Sequence, residues 1–370
     1  MATTDLLTAV LGGDPAELDA ARAHVLDSRG KGDLSQVAEA ERAVRLAPHE
    51  VIRFDDAGRA TVVVGEREYD GGRFATRSIG ELRAGVAGRA PAPPPTLSVV
   101  AGGGPVADIG ALQAWAASGT LFQVASQFNC LESPGPYLVA VADYVHDSTQ
   151  GPRASISAFP GTLVRHYAAP DGVGGTFTQS PDRQLDLLAD VLPPEVGRVR
   201  NGYLQISHIR DLDAAAIALA DRFDLIRVGV HDDVEVVLGA DWRGAVAGRP
   251  RIAQVFTSTL AAGMYGGGER IAGPAEEICR QLLRAAYLGT LLAAVDLGRT
   301  RAVLTMIGGG VFGNPHPLIV EAVLWALDES EAMGAGPLDV VLNTFHIDRA
   351  VDRDWLATEC HRRGGLLRQL

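Results

Sequence analysis

Cysteine is scarce in this 370-residue chain: Cys130, Cys279 and Cys360 are odd in number, widely separated and outside any CxxC or Cys/His cluster. That speaks against a disulfide framework and against a structural zinc site. Positive charge is short too, with 33 Lys and Arg against 45 Asp and Glu and a formal net charge of −12. A general nucleic-acid binder needs concentrated cations, so that class is disfavoured. No apolar run approaches the length needed to cross a bilayer, and the N-terminus lacks a basic segment followed by a long apolar stretch. The expectations are therefore a cytoplasmic protein with no membrane, nucleic-acid, metal or cofactor partner. Glycine, by contrast, is abundant at 43 residues. It lets backbone approach a ligand closely, which suits one anionic ligand held by N–H groups. The apolar fraction of 47% and charged fraction of 21% are those of a globular chain.

The chain reads as two parts. Residues 1–90 begin with a helical stretch in which Asp14 is placed to cap and Pro15 to occupy the first turn. A second helical stretch, LSQVAEAERAVRLA, follows, and then two β-rich runs expected to join near Asp70-Gly71, a dipeptide that favours a hairpin turn. Residues 91–95, Pro-Ala-Pro-Pro-Pro, read as a stiff linker. Beyond it, strand-like runs at 97–100, 121–126, 225–230, 252–256, 302–307 and 338–342 alternate with helical ones. Most are continuously apolar, as in strands covered by helices on both faces. The helix at 275–297 carries Ile278, Leu282, Ala285, Leu288, Leu292 and Val295 on one face. The pattern predicts an α/β layered sandwich over 96–350, with an insertion around 170–250 and a helical tail over 351–370.

The strongest local signal is AVLTMIGGGVFGNPHPLIVEAVLWAL, residues 302–327. A buried strand runs into Gly308, Gly309, Gly310, Val311, Phe312, Gly313 and Asn314, and a helix begins near Pro317. Consecutive N–H groups at a strand's end, with the positive end of a helix dipole behind them, form an anion site suited to a diphosphate. A tight crossover turn with no ligand would have much the same local pattern. Neither a Walker A loop nor the GxGxxG dinucleotide fingerprint fits the spacing.

This segment resembles the macrodomain family, whose loop of the form I-G-x-G-x-F-G-x-P is matched by Ile307, Gly308, Gly310, Phe312, Gly313 and Pro315, with Tyr287 in the preceding helix. The resemblance spans 97–346 and implies a three-layer macrodomain-like α/β sandwich with a mixed central sheet. It also implies that the 308–314 loop wraps the diphosphate of ADP-ribose. Asp108-Ile109 stands where the family has the Asp-Ile pair that meets adenine, and NGYL (201–204) resembles its G-Y-x-L. Phe345 stands near the family's adenine-facing aromatic. Gln127 and Asn129 replace the usual asparagines, and TQGPRASISAFPGTLVRHY stands where the glycine-rich ribose loop belongs. Within it, Gln150 and Gly151 open the helix expected beside the distal ribose.

Three groups are candidates for chemistry. Gln127, Asn129 and Glu132 follow a strand at the edge where open α/β sheets bind ligands, although Asn and Gln also cap loops. His231, Asp233 and Glu235 share one face under strict strand alternation, where they would form an acid/base or metal site, or a solvated edge. Arg153 could pair with a phosphate or lie on the surface, and His146, His166 and His208 read as structural. Pro160-Gly161 and the turn at 264–268 carry no assignment. An ADP-ribosyl hydrolase using Glu132, Asp233, Glu235 and Asn129, with an arginine linkage as first choice, is one expectation. A non-catalytic ADP-ribose reader and a generic nucleotide-metabolite enzyme are the others. The partner would be ADP-ribose or an ADP-ribosylated protein.

Overall fold

A computed structural model describes residues 5–370 except 91, 118, 335 and 336, so part of the proline-rich stretch, Pro91, lies outside the described residues. The N-terminal part holds α1 (Leu6–Gly12), α2 (Pro15–Ser28), α3 (Ser35–Leu46), α4 (Pro48–Val51), β1 (Ile52–Phe54), β2 (Ala60–Val64), β3 (Arg67–Ser78) and α5 (Ile79–Val86). Asp14 caps α2 by accepting from Ala16 N, and Pro15 occupies its first turn. There follow β4 (Thr96–Ala101), α6 (Ile109–Ala114), β5 (Thr120–Ala125), α7 (Gln150–Ser157) and α8 (Phe159–Tyr167). The next stretch has the two-residue strands β6 (Ala169–Pro170), β7 (Thr176–Phe177) and β8 (Leu204–Gln205), then α9 (Leu212–Asp221) and β9 (Arg227–Glu235). The chain ends with β10 (Arg251–Thr257), β11 (Leu260–Ala261), α10 (Pro274–Asp296), β12 (Arg301–Thr305), α11 (His316–Ala332), β13 (Asp339–Thr344), α12 (Arg353–Arg362) and β14 (Leu367–Gln369).

Ten of these strands form one mixed sheet in the order β1-β2-β3-β9-β10-β5-β12-β13-β4-β14. From β10 to β14 every neighbour is parallel, and from β1 to β10 every neighbour is antiparallel. The parallel strands are buried almost throughout, which is why they read as unbroken apolar runs. α10 packs with α5, α9 and α11, while α7 packs with α6 and α8. This is the predicted α/β sandwich. By length and composition α10 could cross a membrane, contrary to the reading of the bare sequence, and 83% of its most apolar window is buried inside the fold.

Local details depart from the sequence pattern for physical reasons. The β2–β3 hairpin turns at Gly65-Glu66, with Gly65 at φ +60°, and not at Asp70-Gly71. Pairing jumps from Ala60↔Gly72 to Thr61↔Asp70, so Gly71 is the extra residue of a bulge, followed by Gly72 at φ +74°. The first 90 residues continue the main sheet through β3–β9 pairing; α3 and α4 share a second core cluster with α8, while α1, α2 and α5 pack into the main core. Within 170–250, residues 171–203 are mostly irregular, yet β9 is an interior strand. The C-terminal segment continues past α12 into an edge strand, β14, on β4.

Because β3 covers the edge of β9, a chain starting at residue 96 would expose a row of unpaired strand groups. Such a truncation should lose its near-ultraviolet circular dichroism and aggregate on size-exclusion chromatography. A monodisperse, cooperatively melting fragment would show that residues 1–90 are dispensable to the fold.

Candidate functional site

Parallel strands place all their C-terminal ends on one side, and there a cleft of about 510 Å³ opens. Its walls come from residues 125–127, 132–133, 147–153 and 305–312 and from 343–346, with Tyr203 and Tyr265. The glycine loop is anchored from beneath by Tyr287 on α10. The Tyr287 hydroxyl donates to Thr305 O at 2.8 Å and accepts from Ile307 N at 3.2 Å. Gly308 (φ +74°) has no room for a side chain, since a Cβ would overlap the Asn314 carboxamide and Thr259 Cγ2. Beyond these anchors, the N–H groups of Gly308, Gly310, Val311 and Phe312 donate to nothing among the described residues. Four unused donors within five residues on a cleft lining are an arrangement suited to an anion.

Across the cleft lies Glu132, 4% exposed. Its carboxyl sits against the first turn of α7, where a Cβ at Gly151 would overlap both Glu132 Oε2 and the Ala125 carbonyl oxygen. Glu132 Oε1 is buried without a hydrogen-bond partner among the described residues. Burial pushes the Glu132 carboxyl well above the usual carboxylate range, against the opposing charge of Arg165. Gln127 Nε2 donates to Ser133 O (2.5 Å) and Tyr203 Oη (3.1 Å), leaving its Oε1 unused. Gln150 Oε1 accepts from Ile109 N (3.0 Å), and its Nε2 is unpartnered. Thr305 Oγ1 is a further buried, unpartnered atom on the lining. Buried polar atoms are ordinarily satisfied, so their gathering on one cleft makes it the candidate ligand surface.

Of the residues expected at the site, the structure brings together Glu132, Gln127, Gln150, Gly151, Gly308, Gly309, Gly310, Val311, Phe312 and Phe345. Others are not on the lining. Asn129 is fully buried as a loop brace, donating to Gln184 (2.8 Å) and accepting from Leu131 N (3.0 Å). Asp108 is consumed as the N-cap of α6 and by Arg153 Nη1 (2.9 Å) and Asp241 N (2.8 Å). Ile109 is core, and its N–H is already given to Gln150. Gly313 lies against Gly263, and Asn314 bonds Thr259 Oγ1 (2.8 Å) and Leu260 O (2.8 Å), so both shape the loop from behind.

Asp233 and Glu235 are at the opposite end of the strands. β9 runs antiparallel to β10, and Glu235 pairs with Arg251 at the start of β10, whereas the cleft lies at the other end. That separation is a strand's length, roughly 20 Å. A bulge with Asp233 at φ +58° also breaks the alternation, so His231, Asp233 and Glu235 share no face. Asp233 pairs with Arg59 (2.8 Å), and Glu235 with Arg249 (2.8 Å) and Asp70 N (2.8 Å). Among the described residues no group of three or more His, Cys, Asp or Glu side chains gathers as a metal site.

Sequence reasoning missed Asp147, Tyr203, Tyr265, His316 and His346. Tyr265 Oη donates to Asp147 Oδ2 (3.1 Å), and Asp147 Oδ1 accepts from Thr149 N (2.9 Å) at the start of α7. The turn bearing Tyr265 clips to the glycine loop through Ala262 and Gly263 N–H groups on Phe312 O. His316 Nε2 lies 3.2 Å from Gly309 O, and Asp348 N donates to its Nδ1 (3.3 Å). Two signals were available: NGYL, which carries Tyr203, and the glycines around Tyr265, since turns of that composition often bring backbone close to another loop.

By sequence, no family model and no curated protein matches the chain. Among solved structures it is similar to poly(ADP-ribose) glycohydrolase from Thermomonospora curvata, at 15% identity and a TM-score of 0.42, over 90% of this chain and 100% of that one. It is also similar to the Deinococcus radiodurans glycohydrolase, in apo form (15%, TM-score 0.40, 78% and 93% of the two chains) and in complex with ADP-ribose (15%, 0.39, 75% and 89%). These are distant similarities.

The raised pKa of Glu132 has a stability consequence of fixed sign. The folded state holds the proton more tightly, so this group's contribution is full below the ordinary glutamate value of 4.5 and is lost as pH rises through the folded value. Glu132→Gln, which cannot ionise, should therefore melt higher than the wild type at pH 8, with the gap closing towards pH 4. A variant that melts lower at pH 8, in thermal scans across that range, would contradict the burial argument.

Proposed function

We propose that the cleft binds ADP-ribose carried by another group, and that Glu132 releases it by hydrolysis. The observation that supports this best is the pairing of two unsatisfied features across one cavity. On one wall are the four free N–H groups of the 308–312 loop, suited to a diphosphate. On the other is a buried carboxyl with an unpartnered oxygen, Glu132. The macrodomain-like pattern of Ile307, Gly308, Gly310, Phe312, Gly313 and Pro315 supports the same reading.

The chemistry follows from the protonation state. Burial favours the neutral acid, so Glu132 is suited to donate a proton to the leaving group as the bond to the anomeric carbon breaks. Water then adds to that carbon and returns a proton to Glu132. A neutral carboxyl serves a leaving oxygen directly, whereas a guanidine leaves only when already protonated. With Asp233 and Glu235 at the far end of the strands, oxygen-linked ADP-ribose becomes the first substrate class to test and arginine-linked the second. Asp147 is the other carboxylate on the lining.

Calorimetry should show ADP-ribose binding, and peptides bearing oxygen-linked ADP-ribose should release it. Glu132→Gln should cut turnover at least about tenfold, or roughly 1.4 kcal/mol of barrier, with ADP-ribose affinity within about threefold of wild type. Turnover should also fall as pH rises through the Glu132 pKa, because the proton is then gone. Tight binding with no release from any linkage would leave a reader in place of a hydrolase. Gly151→Val should lose binding and turnover together, since its side chain would displace the Glu132 carboxyl. Unchanged binding in folded Gly151→Val would remove α7 from the site.

A further inference from the structure

Behind Glu132 lies a charge that the proposed reaction has not yet used. Arg165 on α8 is fully buried. Its four hydrogen bonds all go to neutral acceptors: Cys130 O (3.1 Å), His231 Nδ1 (3.1 Å), Ser155 Oγ (3.2 Å) and Thr162 Oγ1 (2.9 Å). The guanidinium also stacks on Phe256, 3.6 Å from the ring centroid. His231 can act as acceptor because its Nε2–H is committed to Gly71 O at 2.6 Å. A buried cation without a paired anion is costly, and one held by five neutral groups has been placed there by the fold. Its surroundings require close packing: a Cβ at Gly161 would crowd the His231 ring at 2.7 Å.

One route from this cation to the cleft runs through α7. Gly151 touches the Glu132 carboxyl, and Ser155, one turn further on, lies on the same face of that helix. Ser155 Oγ accepts from Arg165, and the Ser155 hydroxyl is hydrogen-bonded towards the Glu132 carboxyl, where it favours the carboxylate. We propose that Arg165 is a positioning residue for Glu132, a fixed cation that acts through the Ser155 hydroxyl and stabilises the carboxylate formed when Glu132 gives up its proton. The role assigned to Glu132 rests on the hydrolase reading. When the ribose C1–O bond breaks with its electron pair on the leaving oxygen, the Glu132 proton passes to that oxygen and a buried carboxylate remains. Arg165 offsets that charge until water adds at C1 and reprotonates Glu132. Arg165 is fully buried and is not on the cleft lining.

The ionisable groups around the pair do not duplicate this role. Burial pushes the Cys130 thiol up to about 12 and the Tyr144 hydroxyl up as well, so both stay protonated. His231 is held neutral by burial and by Arg165 itself. Asp147 opposes ionisation of Glu132. Among the described residues, Arg165 is the cation whose charge lowers the Glu132 pKa.

The test is carbon-13 NMR titration of the Glu132 carboxyl in wild type, Arg165→Met, Arg165→Lys and Ser155→Ala, beside the pH profile of kcat. In Arg165→Met the Glu132 titration and the falling limb of kcat should move up by about one pH unit, with kcat down at least about tenfold and KM nearly unchanged. Arg165→Lys should restore most of the wild-type position, and Ser155→Ala should shift it in the same direction by less. An unchanged Glu132 titration in folded Arg165→Met would overturn the proposal, and if that variant does not fold, an unchanged titration in Ser155→Ala would do so. The NMR arm needs no turnover, so a chain that binds ADP-ribose without cleaving it would sink the hydrolase reading while still reporting on this coupling.

Discussion

The site depends on one close approach: the Glu132 carboxyl against Gly151 in the first turn of α7. Any side chain at 151 would meet that carboxyl and the Ala125 carbonyl, so the end of β5, the loop carrying Glu132 and the start of α7 have mutually fixed positions. The same approach excludes water from Glu132 and raises its pKa. Packing here therefore favours the neutral acid, the state that the proposed hydrolysis uses.

The division of the sheet decides which charged groups can take part. The parallel half sends β5, β10, β12, β13 and β4 to finish on one side, and each feeds the cleft through the loop that follows it. The antiparallel half turns β9 the other way and delivers Asp232, Asp233 and Glu235 to a network with Arg59, Arg249 and Arg299. Burial raises the Asp233 pKa, but the Arg59 hydrogen bond and charge, with Arg299, outweigh it and hold the carboxyl below its usual range. Those carboxylates are structural ions. The strands of residues 1–90 complete this half and leave β9 no free edge.

The parallel half was largely legible because its signals are local. An apolar strand, three glycines and an amphipathic helix in sequence locate the 308–312 loop without any tertiary knowledge. Asp14 and Pro15 mark the start of α2 for the same reason. Signals failed where one residue reverses a pattern. Asp70-Gly71 has hairpin chemistry, but the turn closes five residues earlier and the pair becomes a bulge. Asp233 adopts positive φ, and the alternation that would have aligned His231 with Glu235 is lost. Asp108 stands at a helix start, where capping and ligand contact call for the same residue type, and capping takes it. Tyr203, Tyr265 and Asp147 meet from distant parts of the chain, and no local period could have joined them.

The central claim is that one cleft presents the free N–H groups of the 308–312 loop and the Glu132 wall to the same ligand. Its most direct test is a nitrogen-15 NMR titration with ADP-ribose. Saturable shifts should concentrate on the amides of Gly308, Gly310, Val311 and Phe312 and of Gln150 and Gly151, while Asp233 and Glu235 stay unmoved. No saturable shift, or shifts centred on residues 231–235, would contradict it.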